Sequence, residues 1–200
     1  VHRLGFSRPS RTCVWLTGGM ERGRTTYAAI VLTGGKGERL GGVDKAALSY
    51  RDATLLDHVL SVVDDAVQVV VVGPEKDRPG VVWAREDPPG GGPLAGLAAG
   101  LAHVTQEWVA VLAVDQPGLT RDTIARLRDA RANAVLADDR PQWLIGFWNV
   151  ADLRKALPDD PRDQPLRRTL LQLAPVEVSA LPGEARDVDT PADLGTLHTP

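Results

Sequence analysis

The sequence predicts an α/β fold, a single-domain, Rossmann-like three-layer αβα arrangement about a mostly parallel (mixed) central sheet, and three observations carry that prediction. Strand-length apolar runs alternate with helical patterns from Tyr27 onward. Two of the runs, Val67 to Val72 and Trp108 to Val114, lack polar alternation, as strands covered on both faces do. The first run passes directly into a glycine-rich turn. Two hundred residues with 43% apolar content suit one such domain with its own core.

Each element has a local reason. Tyr27 to Leu32 is the first strand. Leu55, Leu56, Val59, Leu60, Val62 and Val63 recur at helical spacing behind Thr54, an N-cap with Asp57 three residues on, which predicts a helix over 54–63. Val67 to Val72 is an interior strand, and Val81 to Trp83 a short further one that ends at Asp87-Pro88-Pro89-Gly90-Gly91-Gly92-Pro93. A helix over 94–104, a strand over 108–113 and a helix opening at Thr120 follow. Ala134 to Ala137 and Trp143 to Phe147 read as strands joined through Asp138-Asp139-Arg140-Pro141. Helices are predicted over 150–157 and 165–173, a strand over 176–178, and a last helix behind Thr190-Pro191.

Residues 1 to 26 differ from the rest. Arg3, Arg8, Arg11, Arg22 and Arg24 are spread among glycine, serine and proline without an apolar period, so this segment is expected to be disordered and the folded domain to span 27–198. Cys13-Val14-Trp15-Leu16 is too short for the apolar part of a secretory signal, and translation is expected to start near Met20.

Composition narrows the function. A formal charge of -3 argues against broad electrostatic attraction to nucleic acid while leaving room for a local cationic pocket. The single cysteine, Cys13, allows no internal disulfide, and His2, His58, His103 and His198 lack zinc spacing, which fits a reducing cytoplasm. The longest apolar runs are far too short to cross a bilayer. Small-molecule partners are the expectation.

The most informative stretch is Leu32-Thr33-Gly34-Gly35-Lys36-Gly37-Glu38-Arg39-Leu40-Gly41-Gly42-Val43-Asp44-Lys45. Glycines let backbone N–H groups approach phosphate oxygens, and Arg39 and Lys45 supply the charge that amides alone offset only in part. Two other glycine loops are excluded. The dinucleotide fingerprint requires glycine where Leu40 stands, and the ATPase phosphate loop requires Ser or Thr where Gly37 follows Gly35-Lys36. Asp115 closes the Trp108 run, so it belongs at the carboxyl end of an interior strand, where open α/β sheets place ligands. A carboxylate there, facing a triphosphate gripped by Arg39 and Lys45, suits Mg²⁺, which takes few protein oxygens.

The Leu32 to Lys45 stretch resembles the signature of the molybdenum cofactor guanylyltransferase family, L-A-G-G-x-S-x-R-M-G-x-D-K. It departs at Thr33, Gly37 and Leu40 and carries one extra residue, Gly42 or Val43. Val114-Asp115-Gln116-Pro117-Gly118-Leu119 resembles the family's C-D-M-P-F-L element, whose aspartate is a metal ligand. Asp187-Val188-Asp189-Thr190-Pro191-Ala192-Asp193-Leu194 is similar to D-[IV]-D-T-P-E-D-L, which implies that Asp187 or Asp189 also approaches the metal; the same residues would serve as a plain helix start. Asp87 to Gly96, including Gly92 and Pro93, resembles the loop beside the nucleotide base. Relatives often carry Ser-Asn where this chain has Gly73-Pro74.

Gln142 to Trp148 resembles the acceptor-side P-L-x-G-x-Y segment, with Trp143 and Trp148 open to a stacking role on a pterin or to a core role. Arg167 and Arg168 suit either an acceptor phosphate or a solvated helix face, and His58 and His103 are read as non-catalytic.

The resemblance implies a Mg²⁺-dependent nucleotidyltransferase in molybdenum cofactor biosynthesis that moves GMP from GTP to molybdopterin and releases pyrophosphate. A cytidylyltransferase using CTP, or a transferase for another phosphorylated metabolite, is the alternative. The implied nucleotide-binding set is Leu32, Thr33, Gly34, Gly35, Gly37, Arg39, Lys45, Asp87, Gly92, Pro93 and Asp115, with Arg39, Lys45 and Asp115 catalytic and Asp115, Asp187 and Asp189 on the metal. A cytoplasmic monomer or weak oligomer is expected, compatible with transient contact with molybdoenzyme maturation proteins and with no nucleic acid or membrane partner.

Overall fold

The computed structural model describes residues 25–34, 44–188 and 193. The segment 1–24 and the helix expected behind Thr190-Pro191 therefore lie outside the described residues, apart from Asp193. Among the described residues nine strands form a seven-stranded sheet and a small hairpin. They are β1 (Ala28–Leu32), β2 (Ser49–Tyr50), β3 (Ala53–Thr54), β4 (Gln68–Val72), β5 (Val82–Ala84), β6 (Trp108–Ala113), β7 (Ala134–Ala137), β8 (Pro141–Asn149) and β9 (Val176–Ser179). The large sheet has the order β5-β4-β1-β6-β8-β7-β9. Only β8 opposes its neighbours, pairing antiparallel with both β6 and β7, so the sheet is mixed but mostly parallel.

Chain order sets the location of the site. From β1 the chain moves to β4 and β5 on one side, then returns to lay β6 on the other side of β1. The carboxyl ends of β1 and β6 thus border the crevice where strand order reverses, the place at which open α/β sheets bind ligands. Backbone pairing continues one residue past both strands: Thr33 donates to the Val72 carbonyl and Val114 to that of Leu32, each at 3.0 Å.

Both faces of the sheet are buried. Ala29, Val31, Ala110 and Leu112 face one apolar layer shared with α1 (Leu55–Val62) and α3 (Arg121–Asp129). Ala28, Ile30, Leu32, Val109 and Val111 face a second layer shared with α2 (Gly92–Leu101), α4 (Val150–Ala156) and α5 (Leu166–Leu171). That double coverage is why β1 and β6 read as unbroken apolar runs. Thr54 and Asp57 form a reciprocal capping box at the start of α1.

Several boundaries differ from the sequence reading. α2 begins at Gly92 instead of Leu94, because Pro93 fits the first helical turn, where its missing N–H costs nothing. β8 extends to Pro141 and Asn149, beyond the expected 143–147. The β2–β3 hairpin and a short 3-10 helix at Lys45–Ala47 were not expected at all. Among the described residues no helix is long and apolar enough to cross a membrane.

Candidate nucleotide and metal site

Lys45 and Asp115 meet at the crevice. Asp44 starts the 3-10 helix by accepting the Ala46 N–H at 3.0 Å, which sets Lys45 at its first position. The Lys45 ammonium then donates to Asp115 Oδ2 at 2.7 Å. The two side chains are 12% and 23% exposed, so the pair is shielded yet still open to a ligand. A charge-assisted bond at this distance fixes both groups more firmly than a solvated surface pair would. Lys76, in the loop after β4, donates to the other Asp44 oxygen at 2.5 Å and ties a second loop to the same turn.

A further link steadies the loop that carries Asp115. The Tyr50 hydroxyl donates to the Pro117 carbonyl at 3.1 Å, joining the β2–β3 hairpin to the residues after β6. The His58 ring packs edge-on against Tyr50, 4.8 Å between centroids, and faces the Pro117 and Leu119 carbonyls. Burial, together with the nearby Arg51 guanidinium, lowers the His58 pKa below its ordinary 6.5 despite those carbonyls. Between the unfolded pKa and this lower folded one, the unfolded chain binds more protons, so stability falls as pH drops below about 6.5. Urea midpoints should therefore decline from about pH 7 to about pH 5.5 in the native chain, and His58→Phe should flatten that slope. An equally steep slope in the variant would show that another group is responsible.

The described start of the acidic segment, Asp187-Val188, lies alongside. Val188 donates its N–H to the Asp115 carbonyl oxygen at 2.9 Å, so Asp187 adjoins the strand end that bears Asp115. Asp187 is exposed, and Asp189 lies outside the described residues. Asp115 and Asp187 both offer oxygen donors, the type a hard divalent cation takes while sharing its remaining positions with phosphates and water. Among the described residues no group of three or more potential ligands is assembled by protein alone.

The other residues singled out in the sequence fall as follows. Gly35, Gly37 and Arg39 lie outside the described residues, and Gly34 is exposed at the mouth of the loop. The Leu32 side chain is buried in the core beneath α2 and its carbonyl is taken by the Val114 N–H, so Leu32 supports the site from within the sheet. Thr33 donates its hydroxyl to the Val72 carbonyl at 2.9 Å, and a Cβ on Gly73 would overlap that hydroxyl. Thr33 and Gly73, two departures from the family pattern, therefore occupy each other's space. Asp87 is exposed on the loop leading into α2, and Gly92 and Pro93 lie in the first turn of that helix, Pro93 exposed. Gly91 is buried, and its carbonyl accepts the Asp163 N–H at 2.8 Å from the α4–α5 loop.

Trp148 is fully buried in the core, which rules out a stacking role for it, whereas Trp143 is partly exposed. Arg167 and Arg168 project from the exposed side of α5. His103 is exposed beyond the end of α2, at the amino end of β4 and away from the crevice, where its carbonyl accepts the Gln68 amide at 2.7 Å. Tyr50 and Lys76 escaped the sequence reading. The turn Arg51-Asp52, with Arg51 at φ 53°, has neither glycine nor asparagine to announce the hairpin that presents Tyr50.

Comparison with known proteins shows the family and the fold. The MobA-like NTP transferase domain is matched over residues 29–177. The chain belongs to that family. A protein of Methylibium petroleiphilum named molybdenum cofactor guanylyltransferase is 33% identical over 160 residues, covering 75% of each chain. One of the same name from Acidiphilium cryptum is 38% identical over 134 residues, covering 62% of this chain and 67% of its own. The crystal structure of molybdopterin-guanine dinucleotide biosynthesis protein A from Archaeoglobus fulgidus superposes with a TM-score of 0.67 at 21% identity, over 85% of this chain and 96% of that one. The chain is thus a nucleotidyltransferase, and the mixed α/β sheet that flanks Lys45 and Asp115 is the fold of such enzymes.

Proposed function

We propose that this enzyme transfers GMP from GTP to the terminal phosphate of molybdopterin and releases pyrophosphate. The observation that carries the reading is the Lys45–Asp115 pair at the reversal of strand order, in a chain similar to proteins named molybdenum cofactor guanylyltransferase. An acceptor phosphate oxygen forms a bond to the α-phosphorus of the nucleotide while the bond from that phosphorus to the bridging oxygen breaks. The acceptor is already ionised at neutral pH, so no general base is needed.

The protein's contribution is alignment and charge. Lys45 and Arg39 are assigned to the phosphate oxygens on which negative charge develops, and the backbone of Thr33, Gly34, Gly35 and Gly37 to the triphosphate. Mg²⁺ would be held by Asp115 together with Asp187 or Asp189, and when bound it supplies neutralisation of the departing pyrophosphate. Asp87, Gly92 and Pro93 flank the position for the base, and Trp143 is the aromatic residue left for the pterin side.

Pyrophosphate release measured across the four common nucleotides, with and without molybdopterin, tests the reading. Release is expected with GTP and only when the acceptor is present. Release with CTP alone would transfer the reading to a cytidylyltransferase, and nucleotide binding without any release would replace it with a non-catalytic binding role.

A further inference from the structure

Glu184 is a buried carboxylate outside the phosphate-binding loop, only 3% exposed, and it is densely engaged. It accepts hydrogen bonds from the Thr123 hydroxyl and the Arg126 guanidinium of α3. Its second oxygen accepts the Leu181 N–H at 2.7 Å. Arg126 also donates to the Ser179 carbonyl at 2.8 Å, at the end of β9. Burial works against ionisation, yet these donors hold the Glu184 carboxyl below the ordinary glutamate range, so it is charged in the folded protein.

The turn it anchors reaches the site by two routes. Gly183 and Glu184 press so closely on Gly118 that a Cβ there would lie 2.9 Å from the Gly183 carbonyl carbon and 3.0 Å from the Glu184 Cα. Four residues after Glu184, Val188 donates to the Asp115 carbonyl. The turn is thus wedged against the loop that carries Asp115 and leads directly into Asp187. The Phe of the related C-D-M-P-F-L element is replaced here by Gly118, and backbone of the 183–184 turn occupies the space beside it.

We infer that Glu184, clamped by Thr123 and Arg126, is a positioning residue that sets the spacing between Asp115 and Asp187 and so the affinity of the site for a divalent cation. This rests on the nucleotidyl-transfer reading for its purpose, but not for its geometry. Buried partners one step removed from metal ligands commonly govern affinity because they fix the ligands' orientation.

The test compares wild type with Glu184→Gln, which keeps the shape but removes the charge, and reads two quantities besides turnover. One is Mn²⁺ affinity in the presence of GTP, by electron paramagnetic resonance. The other is hydrogen exchange at the Val188 amide, with the Leu112 amide of β6 as an internal reference. Glu184→Gln is expected to weaken Mn²⁺ binding about tenfold and to speed Val188 exchange about tenfold, with Leu112 unchanged. A folded variant that melts earlier yet keeps both quantities within about twofold of wild type overturns the inference. If Glu184→Gln does not fold, Thr123→Val removes a single donor and must move both quantities in the same direction, or the inference falls. Should wild type neither bind Mn²⁺ with any nucleotide nor release pyrophosphate, the nucleotidyl-transfer reading fails, and Val188 exchange alone decides the role of Glu184.

Discussion

Asp115→Ala is expected to lower turnover by about 10²- to 10³-fold while leaving the fold intact, the loss typical of removing a preorganised electrostatic group, roughly 3 to 4 kcal/mol. The fold should survive for a specific reason. The bond that ties Asp115 to the rest of the chain end is made by its backbone carbonyl with the Val188 N–H, and alanine keeps it. The carboxylate itself is 23% exposed and contacts Lys45, so its removal uncovers no core. Lys45 loses this one contact and, at 12% exposure, can still reach water. Pyrophosphate release should therefore collapse while the thermal midpoint moves little. Asp115→Asn separates the two roles of the side chain, since the amide can still contact Lys45 but is a poor ligand for a hard cation. If Asp115→Asn recovers most of the activity, the carboxylate serves to orient Lys45 and the metal assignment is wrong.

How much of this was legible in the sequence depends on the range of the interaction. β6 matches its expected limits because a strand buried on both faces is marked by residue type alone, from Trp108 to Ala113. The start of α1 matches because a capping box is a four-residue pattern, Thr54 to Asp57. Lys45 and Asp115 were found one at a time from the runs that precede them, and the order of the strands brings them together. What local reasoning missed has distant partners. Tyr50 bonds to a carbonyl 67 residues away, and Glu184 to donors 58 and 61 residues away. No periodicity or cap near Glu184 marks it as buried. Asp187 and Asp189 stand out through their likeness to the family's D-[IV]-D-T-P-E-D-L element, which carries no sign of the turn before them, where Glu184 is held by α3.

Gly118→Leu should be the most damaging substitution outside the charged pair. A side chain at 118 has nowhere to go, because its first carbon already overlaps the Gly183 carbonyl oxygen and the atoms it meets are backbone. Relief requires moving the 181–186 turn, which is held through Glu184 by α3 and through Val188 by the Asp115 carbonyl. Overpacking of this kind costs about 1 to 3 kcal/mol or more, and in a chain of this size each kcal/mol lowers the melting temperature by about 2 to 4 °C. Activity should fall further than stability, since the displaced turn carries Asp187 away from Asp115. Gly80→Ala provides the comparison: Gly80 has φ 82° and open space around its Cβ position, so alanine there costs about 1 kcal/mol of backbone strain and should leave turnover unchanged. If Gly118→Leu melts like wild type and keeps its turnover, the 116–119 loop and the 181–186 turn are not locked together, and the coupling of the acidic segment to Asp115 fails with them.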